Sequence, residues 1–268
     1  MIKYNGKIVS ETRHGKRGAE VTEKERYYLL DSMRGIALLF MIFYHTLWDI
    51  INIFGVGADW FTPSLEYMLQ RFICMSFIML SGFCSQIGRH PYKRALTLIG
   101  ASVIIFAATL IFMPDNLIVF GVLTLLGVCS ALIVPLEKLL RRIDAYLGFL
   151  IFTVLFLATE WINAGFLGLP GFGFYLPAWL YANHFTAFLG FPHEEFVSAD
   201  YFSIFPWIFV FIMGYFVYRI FSENKLLRLL KTPRIRPLEW IGRKTLIIYM
   251  LHQPVIYGAL YLVFLIFR

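Results

Sequence analysis

The sequence predicts an all-α, polytopic integral membrane helix bundle, and three observations carry that prediction. Hydrophobic residues make up 59% of the chain and charged residues only 15%, with a mean hydropathy of +0.69, whereas an ordinary soluble domain has about a quarter of its residues charged. Apolar runs of about 20 residues, the length needed to cross hydrocarbon, recur along the chain. Lys and Arg fall into alternate connections between these runs, the bias that orients membrane helices.

Residues 1–28 are polar and basic, with no short apolar core and no small-residue cleavage site, and are read as a retained cytoplasmic tail. Residues 29–268 form the transmembrane domain, with seven spans at about 29–54, 66–88, 95–113, 117–136, 145–163, 203–221 and 245–267. The tail carries Lys3, Lys7, Arg13, Lys16, Arg17, Lys24 and Arg26; the second connection carries Arg89, Lys93 and Arg94; the fourth carries Lys138, Arg141 and Arg142; and the sixth carries eight, from Arg219 to Lys244. The first, third and fifth connections carry none, leaving Arg71 and Arg268 near the opposite side. The amino terminus is therefore expected in the cytoplasm and the carboxyl terminus outside. The net charge of +7 then follows from orientation signals, with anionic lipid as a contact and no nucleic acid as a partner.

Residues 164–202 resist this count. Gly165, Gly168, Gly171, Gly173, Pro170 and Pro177 interrupt an aromatic-rich stretch in which 176–189 is apolar enough to suggest an eighth span. One more crossing would place the Arg-rich sixth connection outside, so the segment is read as extracytoplasmic, interfacial or re-entrant, with a pair of short helices dipping in and out as the alternative. Cys74, Cys84 and Cys129 lie within spans and behave as small apolar groups. No metal-binding arrangement, P-loop or dinucleotide fingerprint is present, which argues against nucleotide hydrolysis and a bound dinucleotide.

The first span holds four ionisable residues, Asp31, Arg34, His45 and Asp49, and each costs roughly 2.5–3.5 kcal/mol in hydrocarbon on insertion scales. At 1.5 Å per residue, Arg34 lies about 8 Å and His45 about 24 Å along the helix. Asp49, one turn beyond His45 on the same face, is placed to fix its tautomer and support a cation on the ring. Asp31, one turn before Arg34, is expected to cap the helix or pair that arginine. Arg71 of the second span shares the depth of Asp49, and that pair is read as structural or catalytic. His252 lies about 11 Å into the last span, just before Pro254, and serves either ligand contact or a hydrogen bond between helices. Ser76, Ser81, Gly82 and Ser85 read mainly as close-packing positions.

The run "RYYLLDSMRGIALLFMIFYHTLWD" resembles the opening of the bacterial relatives of heparan-alpha-glucosaminide N-acetyltransferase, a group in the transmembrane acyltransferase superfamily. "FIMLSGFCS", "NLIVFGVLTLLG", "FLGFPHEEFVSADYFSIFPWIFVFIMGY" and "PLEWIGRKTLIIYMLHQPVIY" resemble its later signatures, in order, over nearly everything after residue 26. Arg34 followed by His45, and the YxLHxP pattern from Tyr249 to Pro254, are also similar to the broader acyltransferase-3 families.

This resemblance implies an enzyme of the bacterial cytoplasmic membrane that takes acetyl from cytoplasmic acetyl-CoA and places it on a sugar or glycolipid amine or hydroxyl outside. It implies His45 as the catalytic histidine, either as general base or as transient acetyl carrier, and Arg34 at the CoA side. In the animal lysosomal enzyme the assigned histidine lies in the first luminal connection, and residues 56–65 contain none here. Candidate cations for the CoA phosphates are Arg34, Arg94 and Arg243, with Arg89, Lys93, Arg141, Arg142 and Lys244 also at hand. Candidate acceptor-binding residues are Arg71, His252, Tyr249, Asp200 and Tyr201, joined by Trp161, Trp179, Tyr181, Asn183, His184 and Trp207, for which an ordinary interfacial aromatic belt is the plain alternative. A homodimer is one of the oligomeric states left open. The competing classes are a proton-coupled transporter or flippase using His45, Asp49 and Arg71 as a relay, and a scaffold whose charges only pack.

Overall fold

The computed structural model describes residues 26–169, 171–232 and 235–266. Lys3 to Lys24 of the expected basic tail, together with Pro170, Arg234 and Arg268, lie outside the described residues. Helix α1 spans Tyr28–Trp48 and runs on as a wider π-helical turn over Asp49–Ile53. Helices α2 (Pro63–Ser85), α3 (Pro91–Phe112), α4 (Val122–Leu140) and α5 (Ala145–Thr159) follow. A two-stranded hairpin, β1 (Phe166–Leu169) and β2 (Phe172–Tyr175), leads to a short α6 (His184–Ala187), then α7 (Ile204–Glu223), α8 (Arg236–Arg243) and α9 (Thr245–Ile266). Seven helices among the described residues are long and apolar enough to cross a membrane, and they coincide with the seven predicted runs.

The differences at the helix ends have local causes. Helices α2 and α3 begin at Pro63 and Pro91, a few residues before the hydropathy rises, because proline fits the first helical turn, whose N–H groups lack helical partners anyway. The Thr62 hydroxyl accepts from the Leu65 N–H at 3.3 Å and closes the start of α2. The fourth span, expected at 117–136, begins only at Val122 and continues through Pro135 to Leu140. Residues 117–121 are irregular instead, bending at Phe120 (φ +55°), and Ala199 N–H donates to Leu117 O at 3.0 Å and Phe202 N–H to Phe120 O at 2.9 Å.

The 164–202 connection forms no eighth span. Residues 176–189 break into a 3-10 turn at Ala178–Tyr181 and the four-residue α6. The hairpin was not expected; its strands pair antiparallel with Phe166 opposite Tyr175. Gly165 and Gly171, both with φ +83°, allow the turns that fold the hairpin.

Helix α7 is the axis of the bundle. Val210, Phe211, Tyr215 and Phe216 are fully buried, as a helix apolar all round requires. It packs against α2 and α5, and Gly82 and Gly214 let α2 and α7 touch backbone to backbone, since a Cβ at Gly82 would collide with the Phe211 carbonyl and one at Gly214 with that of Met79. Helix α8 lies along the first turns of α1, with Gly35 against the Leu238 carbonyl and Gly242 against that of Asp31. Helix α9 runs beside α1 at the edge of the bundle, with Ile256 its buried residue.

Candidate active site

Helices α1 and α9 meet along a polar seam. Successive contacts join His45 to His252, Asp49 to Gln253, and Phe54 to Tyr257 and Phe264. Numbers rise together on both helices, so the two are parallel, as the first and last of seven alternating crossings must be.

At the centre of the seam the His45 and His252 rings lie 4.9 Å apart, centroid to centroid. His45 also meets Tyr44 edge-on at 5.2 Å. The Nδ1 of His252 is hydrogen-bonded to the Tyr249 carbonyl of its own helix, while its Nε2 is buried with no partner. Asp49 is fully buried. It accepts from Gln253 Nε2 at 2.9 Å, and its other oxygen and Gln253 Oε1 have no hydrogen-bond partner.

The expected pairing of Asp49 with His45 is therefore not formed. The Asp49 N–H still donates to the His45 carbonyl, so the two residues keep α-helical spacing, but the carboxylate turns to the amide on α9. Gln253 was missed, although an amide beside His252 in an apolar span is itself a sign of a buried hydrogen bond.

The expected pairing of Arg71 with Asp49 is also corrected. Arg71 lies against Glu160 at 2.7 Å, with Tyr67, Phe156 and Trp207 rings around its guanidinium. The nearest guanidinium nitrogen is off the direction of a hydrogen bond, so the attraction is mainly Coulombic. The face was misread for Arg71, because α2 turns it toward α5 and α7 rather than α1. A relay from His45 through Asp49 to Arg71 is accordingly not assembled.

Asp200 reaches the seam from the fifth connection. Its carboxylate accepts from Tyr249 Oη and from Val122 N–H, both at 3.3 Å, the latter at the exposed amide end of α4. An anion there is favoured by the helix dipole, and Gly121 leaves it room, since a Cβ would come within 2.9 Å of Asp200 Oδ2. Burial pushes the Asp200 carboxyl above the usual carboxylate range, with the two hydrogen bonds working the other way. Tyr201, by contrast, turns into its own loop, where its hydroxyl donates to the Ala187 carbonyl and accepts from Asn163 at 3.4 Å.

Three turns before His45, about 17 Å along the helix, lies a cationic cluster. Asp31 accepts from Arg26 at 3.2 Å and from Arg34 at 3.1 Å, the pairing expected of it. Arg94 donates to Ser81 Oγ at 2.6 Å and feels the like charge of Arg34. It also lines a cavity of about 50 Å³ with Ser85, Gly88, His90, Pro91 and Ser130. Arg243 is exposed at the end of α8. Among the described residues no group of three or more His, Cys, Asp and Glu side chains is placed to hold a metal ion.

Beyond Asp200 lies an open cleft of about 380 Å³ lined by Val119, Phe120, His184, Phe185, Glu195, Phe196 and Val197. His184 and His193 lie 5.2 Å apart beside it.

A bundle with seven helices fit to cross a membrane, a basic cluster at one level, paired imidazoles at another and a largely apolar cleft beyond defines an integral membrane protein with ionisable side chains inside its spans. Residues 26–254 match the family model described as heparan-alpha-glucosaminide N-acetyltransferase, catalytic, and the chain belongs to that family. Membership gives it a membrane acyltransferase role. No curated protein and no solved structure matches the chain.

Proposed function

We propose that the protein moves an acetyl group from cytoplasmic acetyl-CoA to a sugar amine or hydroxyl on the other side of the membrane. The observation that carries this reading is the contact of His45 with His252 in the α1–α9 seam, about 17 Å beyond Arg34 on the same helix. Arg34 and Arg94, with Arg243 at the surface, supply charge for the CoA phosphates, and the long pantetheine arm carries the thioester up the seam to His45. In this reading the Arg34 end faces the cytoplasm, which the bias of Lys and Arg toward alternate connections supports. The acceptor then enters from the cleft side, where aromatic faces and Glu195 offer stacking and hydrogen bonds to a sugar.

The test is acetyl-CoA binding and isotope-labelled acetyl transfer by detergent-solubilised protein. His45→Ala is expected to lower transfer by roughly 10²-fold or more, and Arg94→Met to weaken acetyl-CoA binding without abolishing turnover at saturation. Absence of saturable acetyl-CoA binding, with transfer unchanged in His45→Ala, refutes the reading. Mass spectrometry of envelope glycans with and without the protein names the acceptor.

A further inference from the structure

His45 is the histidine singled out by the sequence, but the more constrained of the two imidazoles is His252. Its Nδ1 faces the Tyr249 carbonyl. A carbonyl oxygen only accepts, so Nδ1 carries the proton and Nε2 of the neutral ring carries the lone pair. That Nε2 is buried without a partner and belongs to a ring in contact with His45. A buried acceptor left unsatisfied costs free energy unless something arrives to use it. Asp49, the nearest carboxylate along α1, has one oxygen held by Gln253 and forms no pair with His45.

Resting on the acetyl-transfer reading, we propose that His252 Nε2 is the catalytic base that accepts the proton released in transfer. The acceptor nitrogen or oxygen attacks the thioester carbonyl carbon. The new C–N or C–O bond forms, the C–S bond breaks, and the acceptor's proton passes to His252 Nε2. The departing CoA thiolate then takes that proton, leaving CoA thiol and a neutral His252. Tyr249 is a positioning residue: its backbone carbonyl fixes the tautomer, and its hydroxyl ties α9 to Asp200.

The experiment uses the full chain in detergent, labelled acetyl-CoA as donor and glucosamine as probe acceptor. His252→Asn keeps an amide donor near the position of Nδ1 and removes the basic nitrogen. It is expected to lower kcat by roughly 10²- to 10⁴-fold while acetyl-CoA Kd and the unfolding temperature stay at wild-type values. A merely structural role moves the unfolding temperature, and a binding role moves Kd. His252→Gln is read in the same way and takes the place of the Asn variant if that does not fold. Near wild-type kcat in either folded variant, or a loss confined to Kd, overturns the assignment of His252 alone. Wild-type protein without saturable acetyl-CoA binding overturns the acetyl-transfer reading and this inference with it.

Discussion

Breaking the Arg71–Glu160 pair is the sharpest test of how the bundle is packed. The charged atoms are 2.7 Å apart and the side chains only 20% and 23% exposed. At an effective dielectric of about 20, charges this close attract by about 6 kcal/mol, most of it offset by the cost of taking both out of water. Removing one partner leaves the other charge buried and uncompensated, so Glu160→Leu and Arg71→Leu are each expected to cost about 3–5 kcal/mol. Arg71→Leu also loses contact with the Tyr67, Phe156 and Trp207 rings, adding roughly 1–2 kcal/mol. The double variant is expected to cost clearly less than the sum, with a coupling of roughly 2 kcal/mol, within the range for residues in contact. The assay is reversible unfolding in detergent micelles for the wild type, both single variants and the double. A coupling below about 0.5 kcal/mol, the level of independent sites, refutes the account. The companion cycle of Arg71→Leu with Asp49→Asn is expected to be additive, and strong coupling there would restore the pairing that depth alone suggested.

Two further outcomes follow from the packing. Gly82→Ala and Gly214→Ala each drive a methyl into the facing backbone of the α2–α7 contact and are expected to destabilise by at least 1–3 kcal/mol, roughly the cost of overpacking. Gly100→Ala, with nothing within 4 Å of its added methyl, is expected to be neutral or stabilising in the same unfolding assay. Asp200 carries the pH dependence: because burial raises its carboxyl in the folded protein, folding favours the protonated form. Its contribution is fully present below the unfolded carboxylate range near pH 4 and is lost as pH rises through the raised value. The stability of the wild type relative to Asp200→Asn is therefore expected to fall as pH rises from about 4, and a pH-independent difference between the two would refute it.

The sequence made the spans legible because hydrophobic length is a one-dimensional property, and it made the Asp31–Arg34 pair legible because three residues apart on a helix is a fixed geometry. Partners across helices were less accessible. Hydropathy gives a residue's depth and leaves its rotation about the helix axis undetermined, so Arg71 was set against Asp49 when α2 faces Glu160 and Trp207. His45 and Asp49 keep the spacing of a regular α-helix, the Asp49 N–H donating to the His45 carbonyl, but spacing leaves the side-chain direction open and the carboxylate turns to Gln253 on α9. Asp200 was recognised as a polar residue of the fifth connection, but its reach to the start of α4 and to Tyr249 depends on backbone hydrogen bonds from Ala199 and Phe202 to Leu117 and Phe120, a long-range contact without local signature. Hairpin β1–β2 was hidden because its glycines look the same whether they end a helix or turn a strand.

These misses share a cause that bears on where the chemistry sits. Around Gly82 and Gly214, helices α2 and α7 touch backbone to backbone, which leaves no room for a polar side chain between them there. The unpartnered atoms of Asp49, His252 and Gln253 instead lie between α1 and α9, at the edge of the bundle, where α9 is packed mainly against α1. Each such atom costs about 1–3 kcal/mol. A tight α2–α5–α7 core offsets that cost while staying out of the seam. Among the described residues, three of the five buried side chains with an unpartnered polar atom, Asp49, His252 and Gln253, thus gather in the α1–α9 seam, which is where the proposed transfer would use them.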